Sequence, residues 1–240
     1  MQTATYVALS RQAVLDRQMD VIANNLANMS TSGFKTENQL FQEYLEPSPV
    51  RGQTIAYVRD AGVVRDLRQG DLSRTGNPLD VGIDGNGYFQ VNTVDGPRYT
   101  RNGRFQLDAG RTLVTAQGYQ VLDSTGQPIT IPQGSTSISI GADGTVATET
   151  GPVGKIALSS FANGQDVVPA GNGLYVTSAT PTPDTVSTLH QGMLEDSNVR
   201  PIIEMTQMLG VQRAYASAQN IIDSEDNRLR NAIDKLSKSS

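Results

Sequence analysis

The sequence predicts an α+β protein: long N- and C-terminal helices forming a coiled-coil-like bundle, plus a central, mostly antiparallel β domain. Three observations predict it. Apolar residues recur at 3-4 spacing at both ends of the chain. The middle alternates polar and apolar residues between Asp-Gly and Asn-Gly turns. Of the 240 residues, 37% are hydrophobic and only 5% aromatic, with no Trp. That is lean for one compact globule and suits thin β modules with helical arms.

The first helix is read over residues 1–30. Ala8, Leu15, Met19, Ile22, Leu26 and Met29 form one seam, and Val7, Val14 and Val21 a second beside it. Ser30-Thr31-Ser32-Gly33 stops it, with Gly33 free to turn left-handed. The second helix is read from about 198 to 238. Ser197 or Asn198 can cap it and Pro201 fits its first turn. Its main seam runs Met208, Val211, Tyr215, Ala218, Ile222, Glu225, Leu229, Ala232, Leu236, broken only by Glu225. Ile202, Met205, Leu209 and Ala216 make an adjacent seam, with small Gly210, Ala214 and Ser217 between. Two arrangements are open: an intramolecular helical hairpin on the body, or a multi-helix tube built from many subunits. A two-stranded pair needs one seam per helix, and the extra seams favour the tube.

Between the helices, Leu79, Val81 and Ile83 alternate. Asp84-Gly85-Asn86-Gly87 should then turn the chain so that Tyr88-Phe89-Gln90-Val91 pairs back. Asp95-Gly96 and Asp143-Gly144 are further hairpin signals.

Composition narrows the function. The net charge is −5 with no Lys/Arg run, which argues against a nucleic-acid partner. There is no Cys, hence no disulfide and no thiolate chemistry. No stretch approaches a membrane span, and no ordinary secretory signal is visible. His190 is the only His, so a His-dependent triad or multi-His metal site cannot form within one chain. Gly85 and Gly87 lack a following Gly-Lys-Ser/Thr and are read as a turn, not a phosphate loop. Asp80, Asp84, Asp95 and Asp108 share the β region, but three of them lie at or beside Gly turns, where Asp bonds locally. No catalytic, cofactor or metal site is expected.

The first helix ends in Ala23-Asn24-Asn25-Leu26-Ala27-Asn28-Met29-Ser30-Thr31-Ser32-Gly33-Phe34-Lys35. Asn is a poor helix residue, so Asn24, Asn25 and Asn28 make sense if their amides bond to neighbouring chains or to a helix end. The alternative is fraying with solvated amides. This stretch resembles the N-terminal signature of bacterial flagellar rod, hook and hook-associated proteins. The resemblance continues in family order through Asn77–Val91, Tyr99–Phe105, Leu113–Tyr119, Leu194–Val199 and Gln212-Arg213-Ala214-Tyr215. It spans nearly the whole chain. One departure is Ala218, where the family often places Asn.

The resemblance implies a structural subunit of the flagellar basal-body rod, nearest the proximal-rod members. The alternatives are a distal-rod or hook-type subunit and, remotely, a carbohydrate-binding or hydrolase module with helical oligomerisation arms. It implies an axial-core domain at 1–34 and 197–240, an extended connecting region at 35–77 and 179–196, and an outer β-rich domain at 78–178. The expected partners are copies of this chain, other rod proteins, the flagellar type III export apparatus and the surrounding basal-body rings. Export without a cleavable signal peptide would place the protein in the periplasmic rod. Candidate interface residues are Leu15, Met19, Ile22, Asn24, Asn25, Leu26, Asn28, Met208, Val211, Tyr215, Ile222, Leu229 and Leu236.

Overall fold

The computed structural model describes residues 2–47 and 54–238; within these, the side chains of 2–5, 43–47, 54–60, 229, 232, 233, 236 and 238 lie outside the description. The chain divides into two compact units: Met1–Ala27, Glu37–Arg65 and Arg200–Ser240 make the first, Asn28–Thr36 and Asp66–Val199 the second.

The first unit holds helix α1 (Gln2–Ala27), strands β1 (Glu37–Pro47) and β2 (Thr54–Arg65), and helix α2 (Pro201–Lys238). Pro201 opens α2, where its missing N–H costs nothing, and Glu204 sits in the first turn, where the helix dipole favours an acid. β1 and β2 pair antiparallel from Glu37↔Arg65 to Pro47↔Thr54. The register slips between Leu40 and Phe41, opposite Gly62, whose φ of 115° a side chain would resist.

The helices correct the sequence expectation. Among the described residues there are only two α-helices, and they pack as a single pair rather than as a long coiled-coil-like bundle. Their buried contact is short: Leu15, Ile22 and Val211, flanked by Met19, Met208, Ala214 and Tyr215. The physical reason is polar punctuation. Gln12 donates to Gln219 at 2.8 Å, and Asn25 meets Glu204 at 3.3 Å, where a longer apolar seam would have continued. Tyr6, Leu9, Ile202, Met205 and Leu209 remain exposed. The α+β character itself stands.

The second unit is a set of short antiparallel strands. β3 (Leu72–Arg74), β4 (Val81–Asp84), β5 (Tyr88–Thr93) and β6 (Gly96–Thr100) come first in the chain. β5 and β6 lie centrally in a nine-stranded sheet that also takes in Phe105–Leu107, Leu113–Thr115, Gln120–Val121 and Leu174–Val176. A three-stranded sheet is made by Ile138–Ile140, Thr145–Thr148 and Gly151–Lys155. Alternation supplies the core: Val81, Ile83, Phe89, Val91, Phe105, Leu113, Val121, Ile129, Ile131, Ile140 and Val146 are all buried together. Phe89 and Phe105 meet edge to face at 5.0 Å.

Two of the expected turns form hairpins and one does not. Asp95-Gly96 joins β5 to β6, and Asp143-Gly144 joins Ile138–Ile140 to Thr145–Thr148. At 84–87 the chain reverses nothing: β4 pairs with Thr188–Gln191, and β5 pairs with β6, Gln120–Val121 and Leu158–Ser160. The reason lies in what holds the loop. The Arg101 guanidinium donates to the carbonyls of Gly85 and Gly87, and the Gly87 N–H donates to the Ser187 hydroxyl. These groups take the partners that a hairpin would have used.

Candidate functional site: helix faces and motif clamps

In the first unit, Asn25 is 1% exposed and acts as a surrogate strand partner. Its Oδ1 accepts the Glu37 N–H at 2.9 Å, and its Nδ2 donates to the Glu37 carbonyl at 2.8 Å. The same Nδ2 reaches Glu204 on α2. Asn24 donates to the Glu37 carboxylate at 3.1 Å. One amide therefore ties the end of α1 to the start of β1 and the first turn of α2. That explains an Asn within a helix, where propensity alone would select against it.

The second unit has its own clamp. Asn198 uses its amide fully: Oδ1 accepts from the Thr36 N–H (2.7 Å) and hydroxyl (2.8 Å), and Nδ2 donates to the carbonyls of Asp66 and Arg68 (both 2.9 Å). Beside it, Glu195 is buried between two cations. Its Oε1 accepts from Lys35 Nζ at 2.6 Å and from the Gly70 N–H. Its Oε2 accepts from Arg101 Nε at 2.8 Å and Nη2 at 2.7 Å. Lys35 also donates to the Arg68 carbonyl, and the Arg101 guanidinium lies over the Tyr88 ring at 5.6 Å. Burial, then the neighbouring Arg101 charge, hold the Lys35 ammonium below its ordinary pKa, against the opposing pull of Glu195.

Gly33, with φ of 71°, donates its N–H to the Glu195 carbonyl; a Cβ there would lie 2.7 Å from the Arg101 backbone. Asn28 closes the turn before it, accepting from the Thr31 hydroxyl at 3.1 Å. Four sequence motifs thus converge in one unit: Gly33-Phe34-Lys35, the Gly85–Gly87 loop, Arg101, and Glu195 with Asn198. Sequence reasoning missed this cluster. Nothing local marked it, since Glu195 stands beside Asp196 and Arg101 shares its motif with Arg104.

The candidate interface residues are placed as follows. Leu15, Ile22 and Val211 are buried within the helix pair, with Met19, Met208 and Tyr215 packed against them. Leu26 and Ile222 are half-buried. The side chains of Leu229 and Leu236 lie outside the described residues. Ala218 is buried on the wall of an apolar cavity of about 310 Å³, together with Val7, Ala8, Ala214 and Ile221. A larger residue there would project into that space.

The carboxylates of the β region each have local work. Asp80 accepts from Asn77, Asp95 pairs with Arg98 at 3.3 Å, and Asp108 accepts the Thr112 N–H at 2.8 Å. Asp84 lies 3.8 Å from His190. Among the described residues, no three His, Cys, Asp or Glu side chains converge for a metal, and no helix is long and apolar enough to cross a membrane.

Comparison with known proteins accounts for this arrangement of motifs. The family described as "Flagella basal body rod protein" matches residues 6–35. "Flagellar hook protein FlgE/F/G D1 domain" matches 82–148, and "Flagellar basal body rod FlgEFG protein C-terminal" matches 190–235. The chain is similar to the flagellar basal-body rod protein FlgF of Caulobacter vibrioides, 39% identical over 243 residues and 99% of each chain. It is 34% identical to the FlgF of Rhizobium meliloti over 98% of each chain. It is 34% identical to the FlgG of Bacillus subtilis, over 97% of this chain and 98% of that one. The chain belongs to the flagellar basal-body rod protein family. It is a structural subunit of the basal-body rod, and neither the distal-rod nor the hook-type alternative is favoured over that. In this rod protein the matched N-terminal segment contains α1 from Tyr6 onward and Lys35, and the matched C-terminal segment contains Glu195, Asn198 and Arg213.

Proposed function

We propose that this chain is a subunit of the proximal part of the rod, polymerising with copies of itself and with other rod proteins into the shaft that transmits torque and encloses the export channel. The observation that carries this is the uncovered apolar surface of the helices. Ile202 is 81% exposed and Leu209 55%, on a face of α2 turned away from Val211. Exposed apolar stripes of this kind mark surfaces that a partner covers. The interface set named from the sequence has two roles in this reading. Leu15, Met19, Ile22, Met208, Val211 and Tyr215 hold the helix pair, with Asn25 fixing its end, and the pair presents the exposed stripe. Asn24, Leu26 and Ile222 extend that surface, and Asn28 is a contact of its own in the second unit.

The subunit acts through binding and not catalysis. It leaves the cytosol through the flagellar type III apparatus, takes its place in the periplasmic rod, and meets the surrounding rings through its β unit. The test is replacement of the chromosomal copy by Leu209→Asp or Ile202→Asp. Loss of rods, with the purified variant keeping its β-sheet circular dichroism, is the expected result. Normal rods in both variants would remove the helix face from the assembly.

A further inference from the structure

The first unit contains an acidic recess that no described cation fills. A cavity of about 300 Å³ is walled by Gln18, Asn25, Glu37, Gln39, Glu204 and Gln207. Glu204 is only 5% exposed, yet among the described residues the one side-chain donor it meets is Asn25 Nδ2 at 3.3 Å. Among the described residues, the Glu37 carboxylate accepts only from Asn24. Gln39 Oε1 is buried and without a hydrogen-bond partner. Two carboxylates and an orphaned amide oxygen therefore line one recess, and a buried carboxylate lacking a cation is costly. A group with several N–H donors and a positive charge would satisfy all of them.

The same helix carries a cation in the opposite predicament. Arg213, in the Gln212-Arg213-Ala214-Tyr215 motif, is exposed and makes no hydrogen bond or ion pair among the described residues. It stands at the end of the exposed stripe Ile202, Thr206, Leu209, because steps of 3 and 4 residues keep one face. Nine residues separate Glu204 from Arg213. At 100° per residue they point to opposite sides of α2, about 13 Å apart along the axis. One copy cannot satisfy its own pair.

We propose that the Glu37–Glu204 recess receives the Arg213 guanidinium of a second copy of this chain. Donor and acceptor on opposite faces of one helix make a heterologous contact, which repeats into an open series and not a closed dimer. The guanidinium's planar fork can bridge both carboxylates and the Gln39 oxygen, as an ammonium cannot. The apolar stripe leading to Arg213 then lies along the same contact. This inference rests on the reading of the chain as a polymerising rod subunit.

The experiment is photo-cross-linking in assembled basal bodies, with p-benzoylphenylalanine placed at Gln39 and Arg213 retained. The expected product is an adduct of twice the 25.7 kDa chain whose linked peptide contains Arg213, falling at least tenfold in Arg213→Gln. An adduct with a different protein, or none from rods that do assemble, overturns the inference and leaves the polymerising reading standing. Failure of the unmodified chain to enter rods at all would instead overturn that underlying reading. A second measurement covers a Gln39 variant that does not assemble. Arg213→Glu should lose motility and Arg213→Glu with Glu37→Lys should regain it; equal loss in both rejects the pairing.

Discussion

The Lys35 ammonium and the Glu195 carboxylate meet at 2.6 Å with their side chains 2% and 0% exposed, and Arg101 closes the other side of the same carboxylate. Burying three charges is costly unless each is paired and hydrogen-bonded, and here the Arg68, Gly85 and Gly87 carbonyls complete the shell. Glu195→Gln strands two buried cations. The expected loss is about 3–5 kcal/mol, measured as a lower denaturation midpoint at constant slope. Lys35→Met keeps the Arg101–Glu195 pair and should lose less. Equal losses would show that Lys35, and not the carboxylate, organises the site.

The same lysine gives the stability a pH signature. Its folded pKa lies below the ordinary 10.5, so just below pH 10.5 the unfolded chain binds a proton that the folded chain has released. Stability contributed through Lys35 therefore rises with pH across that window. Tyr99 opposes it, since burial raises its pKa above 10 and unfolding then releases its proton first. The difference between Lys35→Met and the unchanged chain, followed from pH 8 to 10.5, isolates the lysine. A constant difference would mean that Lys35 titrates as a free amine.

Gly33→Ala tests how tightly the N-terminal motif is seated. The left-handed conformation alone costs an L-residue roughly 1–2 kcal/mol, and the new Cβ would sit against Arg101 backbone atoms that have no slack. Gly76 has nearly the same φ, 76°, but nothing within 4 Å, so Gly76→Ala should show the conformational cost without the clash. If the two variants unfold at the same denaturant concentration, the close approach to Arg101 carries no energy.

Glu149 is a surface group with a measurable acid titration. Its Oε1 accepts the Thr136 hydroxyl at 2.6 Å and the Ser137 N–H at 2.6 Å, and these bonds hold its pKa at about 2, below the usual 4.5. Its contribution is present above pH 4.5 and is lost as pH falls toward 2. The Thr136 and Ser137 amide resonances should move with that low midpoint, and Glu149→Gln should abolish the movement. A midpoint near 4.5 would dissolve the bonds.

Periodicity made the secondary structure legible wherever one face of an element is buried. Val81, Ile83, Phe89 and Val91 announce their strands because alternation is all a half-buried strand requires. It could not announce partners. The Asp84–Gly87 loop carries every local mark of a hairpin, yet the long-range donor Arg101 decides its course. Helical spacing likewise revealed the faces of α1 and α2 but not how many helices meet. Gln12–Gln219 and Asn25–Glu204 interrupt the seam, and a polar pair across two helices is invisible until both are placed. The Lys35–Glu195–Arg101 cluster escaped for the same reason, its members lying in three separate motifs.

The helix pair and the uncovered helix face should separate cleanly by mutation. Ile22 is buried against Leu15 and Val211, so Ile22→Ala removes packed methyl groups and should cost about 2–5 kcal/mol. Hydrogen exchange within α1 and α2 would then accelerate, while exchange in β5 and β6 would not. Ile202 is almost fully exposed, so Ile202→Ala should change stability by less than about 0.5 kcal/mol. Its effect belongs to assembly, where the face it occupies becomes buried. Gly210→Ala sharpens the contrast. A Cβ there meets nothing within 4 Å, and replacing glycine inside an exposed helix should stabilise α2 by roughly 0.5–1 kcal/mol. If a neighbouring helix approaches at Gly210, that more stable monomer will nevertheless form fewer rods. Stability and rod yield rising together in Gly210→Ala would place the contact elsewhere on α2.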